Sequence, residues 1–362
     1  MQCARVAADD AALRAAAAGV VDWREVHRAA LRHSLGPLLY WRLRHLDASP
    51  VPASVLEELQ KSFHANAAHN LMMAAELGQI VGVLADNGLP VIAYKGPALA
   101  AWAYGNLALR EFSDLDLLVR PPHKRRALKV LLESGCCTRG VAGALGLSGN
   151  FEAGLRTANG CNLDLHWEVS PPYFPPLDIS HAWDRGQHLV VAGRQIVTFG
   201  PEDTFAVLAL HGARHCWFSL SWISDIAHVV AKAPLDWDAL LANRQTRKIL
   251  QVAALLAAGM LEAPVPPEIL TEARRDPGAS PVAHEISENI FQWTGDVAGQ
   301  ARGALMHLRM MATLRDRGRY LWRRGLQANQ TDSEHLPLPR PLRPLLYAVR
   351  PFRVLAKLGS RS

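Results

Sequence analysis

The chain has 362 residues, 49% of them apolar and 20% charged, a composition that gives a globular protein a sizeable core and excludes an intrinsically disordered one. Its formal charge of +6 is unevenly placed: from Ala301 onward there are 13 Lys+Arg against 3 Asp+Glu, which leaves the first 300 residues at −4. The main body is therefore not a polycation, and stable nucleic-acid binding is not expected of it.

Residues 9 to 86 read as helices. Between Ala53 and Asp86 the apolar residues Leu56, Leu59, Phe63, Leu71, Leu77, Ile80 and Leu84 recur near helical spacing, and Asp86-Asn87-Gly88 supplies a stop with a glycine for a left-handed cap. The run Leu89 to Tyr94 suits a buried strand. It ends in Lys95-Gly96-Pro97, where the proline opens a helix carrying Leu99, Trp102 and Tyr104. A second strand is predicted at Ser113 to Val119, then a basic helix from Pro121-Pro122 through Leu132, then a third strand at Cys161 to Val169. Helices return after Pro201, most clearly at Glu202 to His215, Leu220 to Ala231 and Gln245 to Leu261. A polar, proline-bearing crossing segment follows at Gln327 to Leu342, and a last basic helix at Leu345 to Leu358. The fold class is α+β: an N-terminal helical region (1–88), an α/β core with a small mixed sheet (89–200), a C-terminal helical domain (201–326) and a basic tail (327–362).

The five cysteines, Cys3, Cys136, Cys137, Cys161 and Cys216, are odd in number and form no C-x-x-C pair, so free thiols in a reducing compartment are expected. Asp9 and Asp10 interrupt any N-terminal leader. The longest apolar stretch, Ile249 to Leu261, falls short of the roughly 18 residues a membrane span requires. A cytoplasmic protein without a transmembrane segment is the expectation.

The sharpest chemical signal is Arg110-Glu111-Phe112-Ser113-Asp114-Leu115-Asp116-Leu117-Leu118-Val119. On a strand, residues two apart share a face, so Asp114 and Asp116 project together while Leu115, Leu117 and Val119 enter the core. Two adjacent carboxylates repel one another, and a divalent cation with a taste for hard oxygen removes that cost. In Asn162-Leu163-Asp164-Leu165-His166-Trp167, Asp164 lies opposite its flanking leucines and adds a third carboxylate. Three carboxylates on two strands can hold two metal ions about 4 Å apart for in-line phosphoryl displacement. Repulsion within the Asp114/Asp116 pair also predicts that Asp116→Asn keeps the fold and gains stability without ligand.

These residues resemble the DNA polymerase β-like nucleotidyltransferase superfamily, and most closely its branch of uncharacterised bacterial members with a Lys-Gly turn before an R-x-x-S-D-x-D strand. The resemblance implies a turn and helix after the first strand (Lys95, Gly96), a metal-binding pair on the next (Asp114, Asp116) and a third carboxylate on a later one (Asp164). It implies Mg²⁺, two ions, with Mn²⁺ as the alternative. It also implies a nucleoside triphosphate such as ATP, and transfer of its NMP group to an unidentified hydroxyl-type acceptor on a small molecule, peptide or protein. Asp114 and Asp116 would bridge the ions, and Asp164 would hold the catalytic one and help deprotonate the acceptor.

Several residues carry two readings. Lys95 and Arg110 either neutralise the β- and γ-phosphates as charge develops on the leaving pyrophosphate or form salt bridges to the carboxylates. Ser113 either binds a phosphate or ends the preceding turn. His211 and His215, at i and i+4, have a spacing that suits zinc, but Arg214 beside them opposes a cation. With Asp225 of Trp222-Ile223-Ser224-Asp225 they serve either structural hydrogen bonds or a nucleotide pocket. The basic tail reads as a solvated surface, a dock for an acidic partner or a membrane-surface helix. The alternative to an enzyme is a non-catalytic nucleotide-binding or partner-binding member of the same fold.

Overall fold

The computed structural model describes residues 1–6, 9–46, 51–139, 151–292 and 297–326; the expected crossing segment and last helix of the tail lie outside the described residues. Four helices come first: α1 (Asp10–Ala18), α2 (Trp23–Arg32), α3 (Gly36–Leu43) and the 34-residue α4 (Ala53–Asp86). The α/β part follows as β1 (Val91–Ala93), α5 (Gly96–Ala103), β2 (Asp114–Val119), α6 (Lys124–Glu133), β3 (Cys137–Arg139), β4 (Glu152–Thr157), β5 (Asn162–His166), α7 (Ala182–Arg185), β6 (Gln187–Val191) and β7 (Arg194–Thr198). The chain then returns to helices: α8 (Pro201–Arg214), α9 (Leu220–Lys232), α10 (Trp237–Ala242), α11 (Arg247–Leu261), α12 (Pro267–Arg275), α13 (Ala279–Asn289), α14 (Val297–Met310) and α15 (Leu314–Leu326). This is an α+β fold. Among the described residues no helix is long and apolar enough to cross a membrane, and all five cysteines are free.

Five strands form one mixed sheet in the order β1-β2-β5-β4-β3. Only the β2/β5 pair is parallel, and its register sets Asp116 directly beside Asp164. The remaining pairs, β1/β2, β5/β4 and β4/β3, are antiparallel, and β6 and β7 form a separate hairpin. β3, β4 and the hairpin were not expected from the sequence.

β2 shows why the acids end where they do. Leu115, Leu117 and Val119 pack into a core with Met73, Leu77, Ile80 and Leu84 of α4 and Leu131 of α6, an i, i+3/i+4 stripe meeting an alternating one. The opposite face is also covered, for Leu118 joins Ile92, Tyr94, Phe199 and Val207 in a second cluster. Asp116, two residues earlier on that face, therefore lies at the edge of an apolar layer and is only 4% exposed, while Asp114 at the strand's start is half-buried.

The segment leading into β2 is held from α4. Asn70 Nδ2 donates to the carbonyls of Leu107 and Arg110 (2.6 and 2.8 Å), and Asn66 Nδ2 donates to that of Ala108 (3.0 Å). α4 itself stops where the sequence indicates: Gly88 has φ +65°, and the Leu89 N–H returns to the Leu84 carbonyl at 3.0 Å, which satisfies a terminal acceptor of the helix.

Candidate active site

The turn after β1 sets the first side chain. Gly96 has φ +47°, and a Cβ there would stand 3.0 Å from the Asp114 carbonyl oxygen. Glycine thus supplies both the left-handed backbone and the close approach of α5 to β2. With the backbone so placed, Lys95 Nζ reaches Asp116 Oδ1 at 2.9 Å. His166 Nε2 lies 3.1 Å from the same oxygen, and since a carboxylate only accepts, the imidazole donates from Nε2. His166 Nδ1 is 3.3 Å from Glu152 Oε2 on β4, off the direction a hydrogen bond needs. Asp116 Oδ2 is buried with no hydrogen-bond partner.

Asp164 faces Asp116 across the parallel pair, and the strand opposite it on the other side carries Gly154. That glycine leaves the carboxylate room: a Cβ at 154 would stand 3.7 Å from Asp164 Oδ1. Among the described residues, the single group of His, Cys, Asp and Glu side chains close enough to share an ion is Asp116, Asp164 and His166, with one ligand atom of each within 4.8 Å of the others. Asp114 stays outside it.

The electrostatics are lopsided. Burial opposes the Asp116 charge, yet Lys95 and the hydrogen bond and charge of His166 outweigh it and hold this carboxyl far below its usual range. The other two acids move the opposite way. Burial, then the charge of Asp116, raises Asp114, and burial, then Asp116, Glu152 and Asp114, pushes Asp164 up to about 6. One acid is satisfied by the nearby cations, and two are left wanting positive charge.

Arg110 serves a different partner. Its Nε and Nη2 donate to the two oxygens of Asp225 (2.8 and 2.9 Å), and the Tyr104 hydroxyl donates to Asp225 Oδ1 at 2.7 Å. Burial works against the Arg110 charge, and the Asp225 carboxylate more than offsets it, raising its pKa. Arg110 Nη1 is buried without a hydrogen-bond partner, and Ser113 is exposed.

Of the His211, His215 and Asp225 trio, the two imidazoles stand together, their ring centroids 4.9 Å apart. His211 lines a narrow cavity with Lys95, His166, Ser170 and Arg214. His215 packs on Trp222 and Phe218, with ring centroids 5.1 and 6.2 Å away, while Asp225 locks Arg110. Burial first, then Lys95 and Arg214, holds His211 well below the ordinary histidine range; burial and Arg214 push His215 down to about 4. Both rings are neutral at pH 7.

His166, Glu152 and Arg214 complete the cluster without having been assigned to it from the sequence. The signal for His166 was present, because it follows Asp164 by two on the same strand and so shares its face.

Against known proteins, the model of a family described as "uncharacterised nucleotidyltransferase" matches residues 19–263. The chain belongs to that family. Membership makes it a nucleotidyltransferase, an enzyme with a nucleotide substrate. No curated protein matches it. Two solved structures are similar to parts of it. One is the antibiotic-resistance factor ANT(2'')-Ia, at 12% identity over 60% of this chain and 97% of that one, with a TM-score of 0.30. The other is an antigenic nucleotidyltransferase-like protein from Paracoccidioides brasiliensis, at 19% identity over 57% and 93%, with a TM-score of 0.38.

Proposed function

We propose that this nucleotidyltransferase moves the NMP group of a nucleoside triphosphate to a hydroxyl-type acceptor, with divalent cations held by Asp114, Asp116 and Asp164. The observation that carries the reading is the β2/β5 register, which sets Asp116 beside Asp164. The residues fit a cation: Asp116 Oδ2 is a buried, unpartnered acceptor, and Asp164 is raised by its acidic neighbours. When bound, such ions supply Lewis-acid stabilisation of the charge that develops on the transferred phosphoryl group and the leaving pyrophosphate.

The chain's own groups divide the remaining work. Lys95, freed from Asp116 Oδ1, meets the β- and γ-phosphates, with the Gly96 turn bringing the backbone close to them. Arg214 and the neutral His211 line the space beside Lys95, where a cation and a hydrogen-bonding ring suit an anionic, polar ligand. Asp164 accepts the proton of the acceptor hydroxyl. Arg110, by clasping Asp225, fixes the segment that enters β2 against α9.

A second reading, nucleotide binding without turnover, draws on the two ion pairs that occupy both sequence-predicted phosphate cations, Lys95 with Asp116 and Arg110 with Asp225. One set of experiments separates the two. A nucleoside triphosphate at a hundred times its dissociation constant should stabilise the fold by about 2.7 kcal/mol with a divalent cation present and not in EDTA; equal stabilisation in EDTA overturns the metal-dependent site. Transfer of label from an α-labelled triphosphate to a component of a small-molecule extract, with pyrophosphate release, should vanish in Asp116→Ala. Cation-dependent binding without such transfer selects the second reading.

A further inference from the structure

We propose that His166 is a direct nitrogen ligand of the cation at Asp116 and Asp164, and that this makes the site prefer Mn²⁺ to Mg²⁺. The inference rests on the metal-dependent reading above and specifies the ligand set and the ion.

The three side chains that converge closely enough to share an ion are two carboxylates and an imidazole, not three carboxylates. Asp114, the third acid expected from the sequence, is the one left out. The imidazole is not a surface group that has swung inward. His166 is 5% exposed, comes from the same strand and face as Asp164, and is flanked by the rings of Tyr94 and Phe151 at 5.5 and 6.3 Å. Its Nε2 points at Asp116 Oδ1, 3.1 Å away.

The other ring nitrogen supplies an independent argument. An imidazole that ligates through Nε2 carries its proton on Nδ1, and metal-bound histidines almost always give that proton to a carboxylate or carbonyl, which fixes the ring. Here Nδ1 is buried and lacks a well-directed hydrogen bond, yet Glu152 Oε2 stands 3.3 Å from it. A small rotation of the ring, with the Nε2 proton released to solvent and Nδ1 protonated, completes the carboxylate–imidazole–cation arrangement. Asp116 Oδ2 is likewise buried and unpartnered. Two orphaned polar atoms within one constellation have no purpose in a simple His166–Asp116 hydrogen bond, and both acquire one when an ion binds.

The donor set separates Mn²⁺ from Mg²⁺. Mg²⁺ is bound by carboxylate and water oxygens and gains little from imidazole, whereas nitrogen donors strengthen binding of first-row transition dications. Two carboxylates and one imidazole therefore favour Mn²⁺ over Mg²⁺, with oxygen positions left for phosphate.

The test is Mn²⁺ binding to the full chain without nucleotide. Pulsed electron paramagnetic resonance of the Mn²⁺ complex should show coupling to a directly bound ¹⁴N, and that coupling should disappear in His166→Gln. Calorimetric titration should find Mn²⁺ bound about tenfold or more tighter than Mg²⁺, a preference lost in His166→Gln through weaker Mn²⁺ binding at unchanged Mg²⁺ affinity; Glu152→Gln should weaken Mn²⁺ by about 10- to 100-fold. Mn²⁺ bound to the wild-type chain with no nitrogen coupling overturns the proposal, and the wild-type spectrum decides this even if the variants fold poorly. An unchanged Mn²⁺/Mg²⁺ ratio in His166→Gln overturns it as well. If the wild-type chain binds neither ion, the metal-dependent reading beneath it falls too, an outcome distinct from ion binding without nitrogen.

Discussion

Asp164→Asn should stabilise the ion-free protein at neutral pH. The Asp164 carboxyl is pushed from its usual 3.8 to about 6, first by burial and then by Asp116. Because the folded pKa lies above the unfolded one, the folded chain holds a proton between roughly pH 4 and 6 that the unfolded chain has released. Stability therefore falls as pH rises through that window and stays reduced above it. At about 1.4 kcal/mol per pKa unit the full penalty is about 3 kcal/mol, and partial exposure of Asp164 brings the expected gain from asparagine to about 1–3 kcal/mol. Urea unfolding in EDTA at steps from pH 4 to 7.5 measures it: the two proteins should converge near pH 4 and separate as pH rises, with the variant above. Asp116→Asn is the opposing control. The sequence suggested that it too relieves repulsion, but the structure reverses the sign, because Asp116 is held ionised by Lys95 and His166. Removing its charge strands a buried ammonium and should cost about 3–5 kcal/mol. Equal stability of wild type and Asp164→Asn at pH 7.5, with the same slope below it, would refute the electrostatic reasoning.

Two further outcomes follow from the supports of the site. Arg110→Ala leaves the buried Asp225 with the Tyr104 hydroxyl but without its cationic partner and should cost about 3–5 kcal/mol in thermal or urea unfolding; Arg110→Lys should recover only part of it, since the two-pronged contact is lost. A wild-type midpoint for Arg110→Ala would remove the clasp from the account. Gly96→Ala forces a side chain into a positive-φ turn against the Asp114 carbonyl. It should cost about 1–3 kcal/mol in urea unfolding, so unchanged stability would contradict the close-approach argument.

What could be read from the sequence was what repeats locally. The alternation of Asp114 to Val119 gave the strand and its two faces, the leucines beside Asp164 gave its orientation, and Gly88 marked the left-handed end of α4. What escaped were elements without a local signature. β4 reads Glu-Ala-Gly-Leu-Arg-Thr, with two small residues where a strand usually shows branched or aromatic ones. The β6/β7 hairpin turns through Ala192 and Gly193, both at positive φ; an Asn-Gly would have announced that turn, and an alanine does not. The range Pro121 to Leu132 opens with a 3₁₀ turn before α6 starts at Lys124.

The partnership of Arg110 with Asp225 spans 115 positions, and no spacing rule connects residues so far apart. Its consequence is nevertheless chemical. With Arg110 already neutralised, Lys95 is the one of the two sequence-predicted phosphate cations left to move toward a triphosphate, and in the ion-free protein Lys95 is tied to Asp116. A triphosphate arriving alone would have to break that buried pair and leave Asp116, Asp164 and Asp114 facing its own negative charge. A cation arriving first supplies Asp116 with another positive partner and releases the ammonium, so that one binding event creates the phosphate site used by the next. On this reading the ion and the nucleotide bind with positive coupling, and by linkage each raises the affinity of the other by the same factor.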